Sequence, residues 1–158
     1  MIEIIEEARR LAKTAHAGQF YGTGDPYFTH LEQVANMARK LGYCDEVVAA
    51  SYLHDIVEDT SVTIEDLGTE FPESVVNAVE SVTFAGNDYA AKIEKVKTNS
   101  IGIVVKFCDA SCNYANAVIF GEKPGRKFDE VILRRAGYIS SLLIVLPTPT
   151  DIENYLAA

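Results

Sequence analysis

The sequence has no tryptophan, only two methionines and three cysteines, and no long hydrophobic run. Its longest apolar stretches, residues 101–105 and 142–146, are far shorter than the roughly 20 residues that a membrane-spanning helix needs. The N-terminus carries Glu3, Glu6 and Glu7 instead of the basic and then apolar pattern of a secretory signal. We therefore expect a cytoplasmic protein that does not act at a membrane.

The odd number of cysteines argues against a disulfide framework. Cys108 and Cys112 are spaced to share one face of a helix, and such a pair can bind zinc. Small apolar side chains in a helix core explain the pair more simply, and we expect this second role.

Positive charge is scarce, because 14 Lys and Arg face 23 Asp and Glu, for a net charge of −9. Such a protein repels the phosphate backbone, so we expect no nucleic-acid partner. Five basic residues are nevertheless clustered: Lys123, Arg126, Lys127, Arg134 and Arg135. The cluster either faces a small polyanion or forms an ordinary solvated surface, and the sequence leaves both interpretations open.

Helical periodicity runs through nearly the whole chain and predicts an all-α fold. The predicted helices cover residues 2–16, 29–41, 45–57, a short segment after Thr63, 72–82, 88–98, 100–118, 128–146 and a last segment from Thr150. Capping boxes are predicted at Thr29 with Glu32 and at Thr150 with Glu153, and Asp66 follows Thr63 at the same spacing. Residues 101–105 are β-branched, but polar residues recur at helical spacing from Asp109 onwards, which favours a buried helix.

His54 and Asp55 are the most informative pair in the sequence. They lie near the end of the apolar segment 47–57, and Glu58 and Asp59 follow one turn later. Charged groups beside a core are costly unless they are paired or bind a metal. The pair can offer a nitrogen and an oxygen to one divalent cation, with Glu58 and Asp59 left to act on metal-bound water. A helix end exposed to solvent is the alternative, and this segment alone does not decide.

Two other segments each place a metal ligand at the edge of an apolar stretch. A glycine-rich loop ends in Pro-Tyr-x-x-His at His30, and Asp109 lies in a Lys-x-x-Asp-x-x-x-Asn block over residues 106–113. Imidazole nitrogens and carboxylate oxygens suit Mn²⁺, Fe²⁺, Co²⁺ or Zn²⁺. Because no thiolate is present, this donor set is more typical of a catalytic site with room for water than of structural zinc.

The three blocks, in this order, resemble the HD superfamily of metal-dependent phosphohydrolases. Within it the chain is most similar to the alarmone hydrolases, both the small stand-alone enzymes and the hydrolase half of the bifunctional synthetase–hydrolases. The resemblance runs from about residue 16 to residue 113, and more loosely to residue 146. It implies an HD-domain helical bundle, with residues 1–158 as a single domain. It also implies one divalent metal ion, with Mn²⁺ as the first choice and Fe²⁺, Co²⁺, Zn²⁺ or Mg²⁺ as alternatives.

The resemblance also assigns roles to individual residues. The implied metal ligands are His30, His54, Asp55 and Asp109. Glu58 and Asp59 are the implied catalytic acids, which would position and deprotonate water for attack on phosphorus. Asn113 corresponds to a residue that contacts the nucleotide.

The roles of two residues near these blocks are less certain from the sequence than those of the proposed ligands, because each has an ordinary structural alternative. Lys106 precedes Asp109 by one helical turn, so it either contacts the site or is an ordinary surface lysine. We list it with the substrate-binding residues. His16 precedes the glycine-rich loop, and we expect loop carbonyls rather than a metal to hold it.

The glycine-rich loop departs from the family pattern. The alarmone hydrolases usually carry an Arg-Lys pair there, and the arginine packs on the guanine base, whereas this chain has Tyr21 and Gly22. Tyr21 can stack on any purine but supplies no positive charge. The turn that follows folds the chain back, so Tyr21 and Thr23 are predicted to bind substrate. Packing of Tyr21 against Phe20 or Phe28 is the alternative.

These observations predict a metal-dependent phosphohydrolase that acts on a small-molecule nucleotide. The leading hypothesis is removal of the 3′-pyrophosphate from a purine alarmone such as guanosine tetraphosphate. A nucleotide phosphatase or pyrophosphohydrolase of other specificity is the enzymatic alternative, and a nucleotide sensor is the non-enzymatic one. Glu58 and Asp59 weigh against a sensor, because binding alone would not require them.

Overall fold

The computed structural model describes residues 2–121 and 127–158, and these ranges fold into helices joined by short loops. The helices are α1 (Ile2–Ala15), α2 (Phe28–Lys40), α3 (Asp45–Leu53), α4 (Ile56–Asp59), α5 (Ile64–Glu70), α6 (Glu73–Val82), α7 (Tyr89–Val96), α8 (Ser100–Phe120), α9 (Phe128–Leu143) and α10 (Pro149–Ala157). An isolated antiparallel bridge between Phe20 and Pro26 closes the glycine-rich loop. The predicted all-α fold class is confirmed.

Helix α3 lies at the centre of the bundle. Its residues from Val47 to Leu53 are all buried, and it packs against α1, α2, α6 and α8. A helix that is apolar on every side has no face for solvent, so it can only be stable inside the fold. His54 and Asp55 follow directly at its C-terminal end and are therefore held at the core boundary.

Helix α8 is the second central helix, and it is helical despite its β-branched residues, as predicted. Asn99 caps it by accepting a 2.8 Å hydrogen bond from the Gly102 backbone N–H. A Cβ at Gly102 would lie 2.0 Å from the Ser81 Oγ, so α6 and α8 approach more closely there than a larger side chain permits. Tertiary packing outweighs local β propensity in this segment. The helix carries Asp109 and Asn113 to the boundary reached by α3.

The predicted single helix over residues 45–57 is wrong. Helix α3 ends at Leu53, and Asp55 has φ −103° and ψ 0°, outside the helical region, before α4 begins. His54 and Asp55 form this break, with His54 as the C-cap of α3 and Asp55 as the N-cap of α4. Glu58 and Asp59 follow on the short helix α4. Helix α9 likewise ends at Leu143, three residues earlier than predicted.

Two predicted capping boxes are also wrong. Thr29 lies inside α2, and Glu32 instead pairs with Arg9 at 3.0 Å. In the last helix the capping box is formed by Thr148 and Asp151, because Pro149 suits the first helical turn. The spacing of Thr63 and Asp66 does mark a capping box, at the start of α5.

Cys108 is buried in the core and Cys112 is partly buried against it, as predicted for this pair, and Cys44 is also partly buried. All three are free thiols, and Cys112 Sγ lies 3.9 Å from Met37 Sδ. Burial raises the pKa of Cys108 to about 12, so this thiol stays protonated. Within residues 2–121 and 127–158, no helix is long and apolar enough to cross a membrane.

Candidate functional site

The break between α3 and α4 fixes the orientation of the His54 ring. His54 is 2% exposed, and its Nδ1 lies 2.8 Å from the backbone carbonyl oxygen of Ser51. A carbonyl can only accept a hydrogen bond, so Nδ1 carries the proton and Nε2 of the neutral ring keeps its lone pair. That nitrogen lies 3.0 Å from Asp55 Oδ2 and 3.6 Å from Asp109 Oδ1.

His30 brings a second buried imidazole to the same point from the first turn of α2. Its Nε2 lies 3.1 Å from Asp109 Oδ1. His30, His54 and Asp109 each offer a ligand atom within 4.8 Å of the others, and all three residues are buried. Three of the four predicted metal ligands thus converge from α2, α8 and the end of α3. The fourth, Asp55, stands beside His54.

Two residues of α8 hold the Asp109 carboxylate. Lys106 Nζ donates to Oδ2 at 2.6 Å, and Asn113 Nδ2 donates to Oδ1. They precede and follow Asp109 by one helical turn, so all three share a face. Lys106 therefore contacts the predicted ligand carboxylate rather than solvent.

The charges of this cluster stabilise one another. Burial opposes ionisation of Asp109, but Lys106 and the two imidazoles outweigh it and hold the pKa of Asp109 well below its ordinary value. Burial likewise opposes a charged His54, yet the carboxylates of Asp55 and Asp109 raise the pKa of His54 well above its ordinary value. The site therefore favours a bound positive charge, whether a proton or a cation.

The donor set fits a metal ion. Among the described residues, four buried polar side-chain atoms have no hydrogen-bond partner, and one of them is His54 Nε2, which faces Asp55 and Asp109. Buried polar atoms are normally satisfied, so an imidazole nitrogen aimed at two carboxylates without a hydrogen bond indicates a ligand position. Two imidazoles with carboxylates suit a borderline divalent ion.

The two predicted catalytic acids occupy different surroundings on α4. Glu58 Oε1 accepts a 2.7 Å hydrogen bond from the Phe84 backbone N–H and lies 3.4 Å from Lys92 Nζ. Partial burial of Asp59, followed by the charges of Asp55 and Glu58, raises the pKa of Asp59. A carboxyl group of raised pKa beside a metal-ligand cluster is suited to proton transfer.

Tyr21 contacts the metal-ligand cluster itself. Its ring stacks on His30 with centroids 5.0 Å apart and an interplanar angle of 10°, and its hydroxyl donates to Asn113 Oδ1. This contact with His30 was not predicted from the sequence, and base stacking by Tyr21 stays a prediction. Tyr21 also lines a cavity of about 200 Å³, together with Thr23 and Asn113. The Thr23 hydroxyl donates to Asp25 at 2.7 Å.

A second cavity, of about 170 Å³, borders Asp109 and is basic. Its lining includes Lys92, Lys106, Arg134, Arg135, Tyr89 and Tyr138. The Arg134 guanidinium lies 4.9 Å from the Tyr89 ring centroid, and Arg135 Nη1 donates to the Asn113 backbone carbonyl at 3.1 Å. A wall of this kind complements the charge of a polyphosphate.

The basic residues after residue 120 do not all have the same role: some face a cavity that suits a polyanion, and one lies on the solvated surface. Arg134 and Arg135 face the second cavity. Lys127 is largely exposed and pairs with Glu130 at 3.1 Å, as an ordinary surface residue does. Lys123 and Arg126 lie outside the described residues.

Tyr27 and Gln19 are site residues that the sequence reasoning missed. The Tyr27 hydroxyl donates to Asp55 Oδ2 at 2.6 Å, and its only sequence signal is its place in the Pro-Tyr-x-x-His block. Burial, followed by the Asp55 charge, raises the pKa of Tyr27, so the hydroxyl stays a donor. His16 Nδ1 contacts the Gln19 side chain at 2.8 Å instead of loop carbonyls, which corrects our expectation.

The all-helical bundle and the buried cluster of His30, His54 and Asp109 agree with the resemblance drawn from the sequence. The family described as HD domain matches residues 8–100, more than half of the chain. The chain belongs to this family, and the resemblance drawn from the three sequence blocks is confirmed.

Curated relatives are similar to parts of this chain. A guanosine-3′,5′-bis(diphosphate) 3′-pyrophosphohydrolase of Aquifex aeolicus is 28% identical over 162 residues, covering 97% of this chain and 23% of that protein. One of the same name from Haemophilus influenzae is 40% identical over 87 residues, covering 55% and 12%. A probable GTP pyrophosphokinase of Mycobacterium leprae is 42% identical over 82 residues, covering 52% and 10%. The chain thus spans less than a quarter of the length of these relatives.

A solved structure shares the fold over most of both chains. It is described as a metazoan ortholog of SpoT that hydrolyzes ppGpp, and it is 20% identical with a TM-score of 0.79. The match covers 88% of this chain and 85% of that one. At this identity the likeness establishes the helical architecture.

Proposed function

We propose that residues 1–158 act as one HD phosphohydrolase domain that removes the 3′-pyrophosphate from a purine alarmone such as guanosine tetraphosphate. The observation that carries this proposal is the convergence of His30, His54 and Asp109 beside a basic cavity. Curated relatives named as guanosine-3′,5′-bis(diphosphate) 3′-pyrophosphohydrolases support the substrate class. Hydrolysis of a free nucleotide is also consistent with action in the cytoplasm.

The proposed metal ligands are His30, His54, Asp55 and Asp109, and the proposed ion is a single Mn²⁺. A divalent cation at these ligands would supply Lewis acidity, which acidifies water and neutralises phosphate charge. The tautomer of His54 and the hydrogen bonds to Asp109 support this role, because they orient the donor atoms without a metal.

Asp59 is the proposed proton-transfer group, supported by its raised pKa and its position next to the ligand cluster. Glu58 is the second proposed acid, and its contact with Lys92 links it to the basic cavity. Lys106 and the two arginines of that cavity would neutralise the phosphate groups. Tyr21, Thr23 and Asn113, which line the first cavity, would contact the nucleoside.

A nucleotide phosphatase or pyrophosphohydrolase of other specificity is the second candidate. Tyr21 and Gly22 favour it, because they stand where the alarmone hydrolases that this chain resembles usually carry an Arg-Lys pair at the guanine base. A ring that stacks without charge accepts adenine as readily as guanine. The phosphate bond that is cleaved, rather than the base, therefore distinguishes the two candidates.

Turnover of a nucleotide panel tests the proposal. The panel contains guanosine and adenosine tetraphosphates with 3′-diphosphates, the corresponding 5′-triphosphates, and simple phosphomonoesters, each with Mn²⁺. Release of pyrophosphate and a nucleoside 5′-diphosphate from a tetraphosphate is the expected result. Release of single phosphates from other nucleotides would favour the second candidate. Tight binding with no turnover of any compound would contradict hydrolysis and support a sensor.

A further inference from the structure

His16 is buried at the end of α1 and belongs to a hydrogen-bond chain outside the ligand cluster. It is 2% exposed, and its Nδ1 lies 2.8 Å from Gln19 Oε1. Gln19 Nε2 donates to the backbone carbonyl of Asp59 at 2.8 Å. Because that carbonyl only accepts, the amide nitrogen of Gln19 must face it, and the amide oxygen must face His16. The His16 Nδ1 is therefore the donor.

Gln19 supplies a hydrogen bond that α4 lacks. Helix α4 has only four residues, and Asp59 is its last. The final carbonyls of a helix have no intrahelical donor, so the Asp59 carbonyl needs a partner from elsewhere. Gln19 provides one from a loop 40 positions away in the sequence. Gly18, with φ +81°, allows the chain to reverse between His16 and Gln19.

A second contact of His16, with the Tyr27 ring, connects it to the start of α4. The His16 ring stacks on Tyr27, with centroids 5.1 Å apart and an interplanar angle of 29°. The Tyr27 hydroxyl donates to Asp55, which is the N-cap residue of α4. One buried imidazole thus reaches both ends of α4, through Tyr27 at Asp55 and through Gln19 at Asp59.

We propose that His16 and Gln19 are positioning residues that hold α4, and with it the Asp59 carboxylate, against the metal-ligand cluster. This inference rests on the proposed function, because it assigns Asp59 the proton transfer. Neither residue is a proposed metal ligand, and neither lines the two cavities of the candidate site. Their loss should therefore lower kcat while KM and bound metal stay unchanged.

Three variants separate the links of this chain. Gln19→Glu preserves shape and the acceptor for His16 but loses the N–H that reaches the Asp59 carbonyl. Gln19→Leu loses both bonds. His16→Phe keeps a ring on Tyr27 but loses the Nδ1 donor. Gln33→Leu is the matched control, because the Gln33 amide oxygen accepts a 3.0 Å hydrogen bond from Asn116 Nδ2, on α8 and not on α4.

Hydrogen exchange of α4 measures the positioning without any turnover. The Asp59 and Thr60 amides donate to the Asp55 and Ile56 carbonyls, at 3.0 and 3.1 Å. Both Gln19 variants should exchange these amides about fivefold faster, the factor that corresponds to loss of one net hydrogen bond. His16→Phe should show a smaller increase, and Gln33→Leu should match the wild type. Thermal melting identifies any variant that fails to fold. If Gln19→Leu fails to fold, the exchange rates of the conservative variant Gln19→Glu decide whether Gln19 holds α4.

The second readout is the rate. In the Gln19 variants we expect kcat to fall about tenfold at unchanged KM. This is less than the roughly 10²–10⁴-fold that an acid–base group contributes, because the Asp59 carboxylate is displaced and not removed. Unchanged exchange in both Gln19 variants would overturn the inference, and so would faster exchange with a wild-type kcat. If the wild type hydrolyses no nucleotide, the proposed function fails, and exchange alone still decides whether His16 and Gln19 hold α4.

Discussion

Glu58 and Lys92 form an ion pair that joins α4 to α7, with Glu58 Oε1 3.4 Å from Lys92 Nζ. The same oxygen accepts a hydrogen bond from the Phe84 backbone N–H. Glu58 is thus anchored to the segment between α6 and α7, whereas partial burial and two neighbouring carboxylates raise the pKa of Asp59. Adjacent residues of one short helix therefore lie in different surroundings.

Asp59→Asn and Glu58→Gln separate chemistry from metal binding. Each keeps the shape of the side chain but removes a carboxylate that handles protons. Turnover should fall by about 10²–10⁴ in each variant, since positioned acid–base groups contribute that much. Bound metal, measured by elemental analysis, should match the wild type. Wild-type rates in both variants would mean that these residues are ordinary surface acids.

Replacement of either His54 or Asp55 by alanine should remove bound metal and turnover together. Addition of Mn²⁺ should raise the Tm of the wild type, because a ligand at 100 times its Kd stabilises the folded state by about 2.7 kcal/mol. The variants should show no such increase. His16→Phe is the control, and it should retain the metal, since His16 lies outside the proposed ligand set. Full metal occupancy in both alanine variants would contradict the site.

Tyr21→Ala tests the loop residue that departs from the family pattern. Removal of a stacking ring costs about 1–3 kcal/mol of binding, so KM for the true substrate should rise with a smaller effect on kcat. Tyr21→Phe keeps the ring but loses the hydroxyl bond to Asn113, and it should stay close to the wild type in KM. A lower Tm with unchanged KM in Tyr21→Ala would instead support a packing role against His30.

Gly102→Ala should destabilise the bundle without touching the site. Its new Cβ would lie 2.0 Å from Ser81 Oγ, so either the Ser81 hydroxyl would have to leave its bond to the Ala78 carbonyl or α6 and α8 would have to separate. Overpacking of this kind typically costs about 1–3 kcal/mol, measurable by urea denaturation. Ser81→Ala in the same chain should recover part of the loss.

Gly137→Ala in α9 is the matched control for that substitution. Nothing lies within 4 Å of a Cβ at Gly137, so there alanine should stabilise the helix by about 0.5–1 kcal/mol. Equal effects at both positions would show that helix propensity, rather than close packing, governs Gly102.

The sequence alone determined the helical class and the donor set of the site. Helical periodicity is a short-range property, so it predicted α8 as a buried helix even across β-branched residues 101–105. The resemblance of the three sequence blocks to the HD superfamily predicted His30, His54 and Asp109 as neighbours, and these three side chains do meet in the fold.

Only the tertiary structure decided how those segments meet. The break at His54 and Asp55 depends on packing around α3, and the ends of α2 and α10 depend on contacts that capping patterns do not record. The contact between Tyr21 and His30 and the bond from Gln19 to Asp59 join loop residues to the site. Such pairs form because the packed core fixes where each helix ends. Their geometry is set by contacts between segments that are distant in the sequence, and local pattern does not encode it.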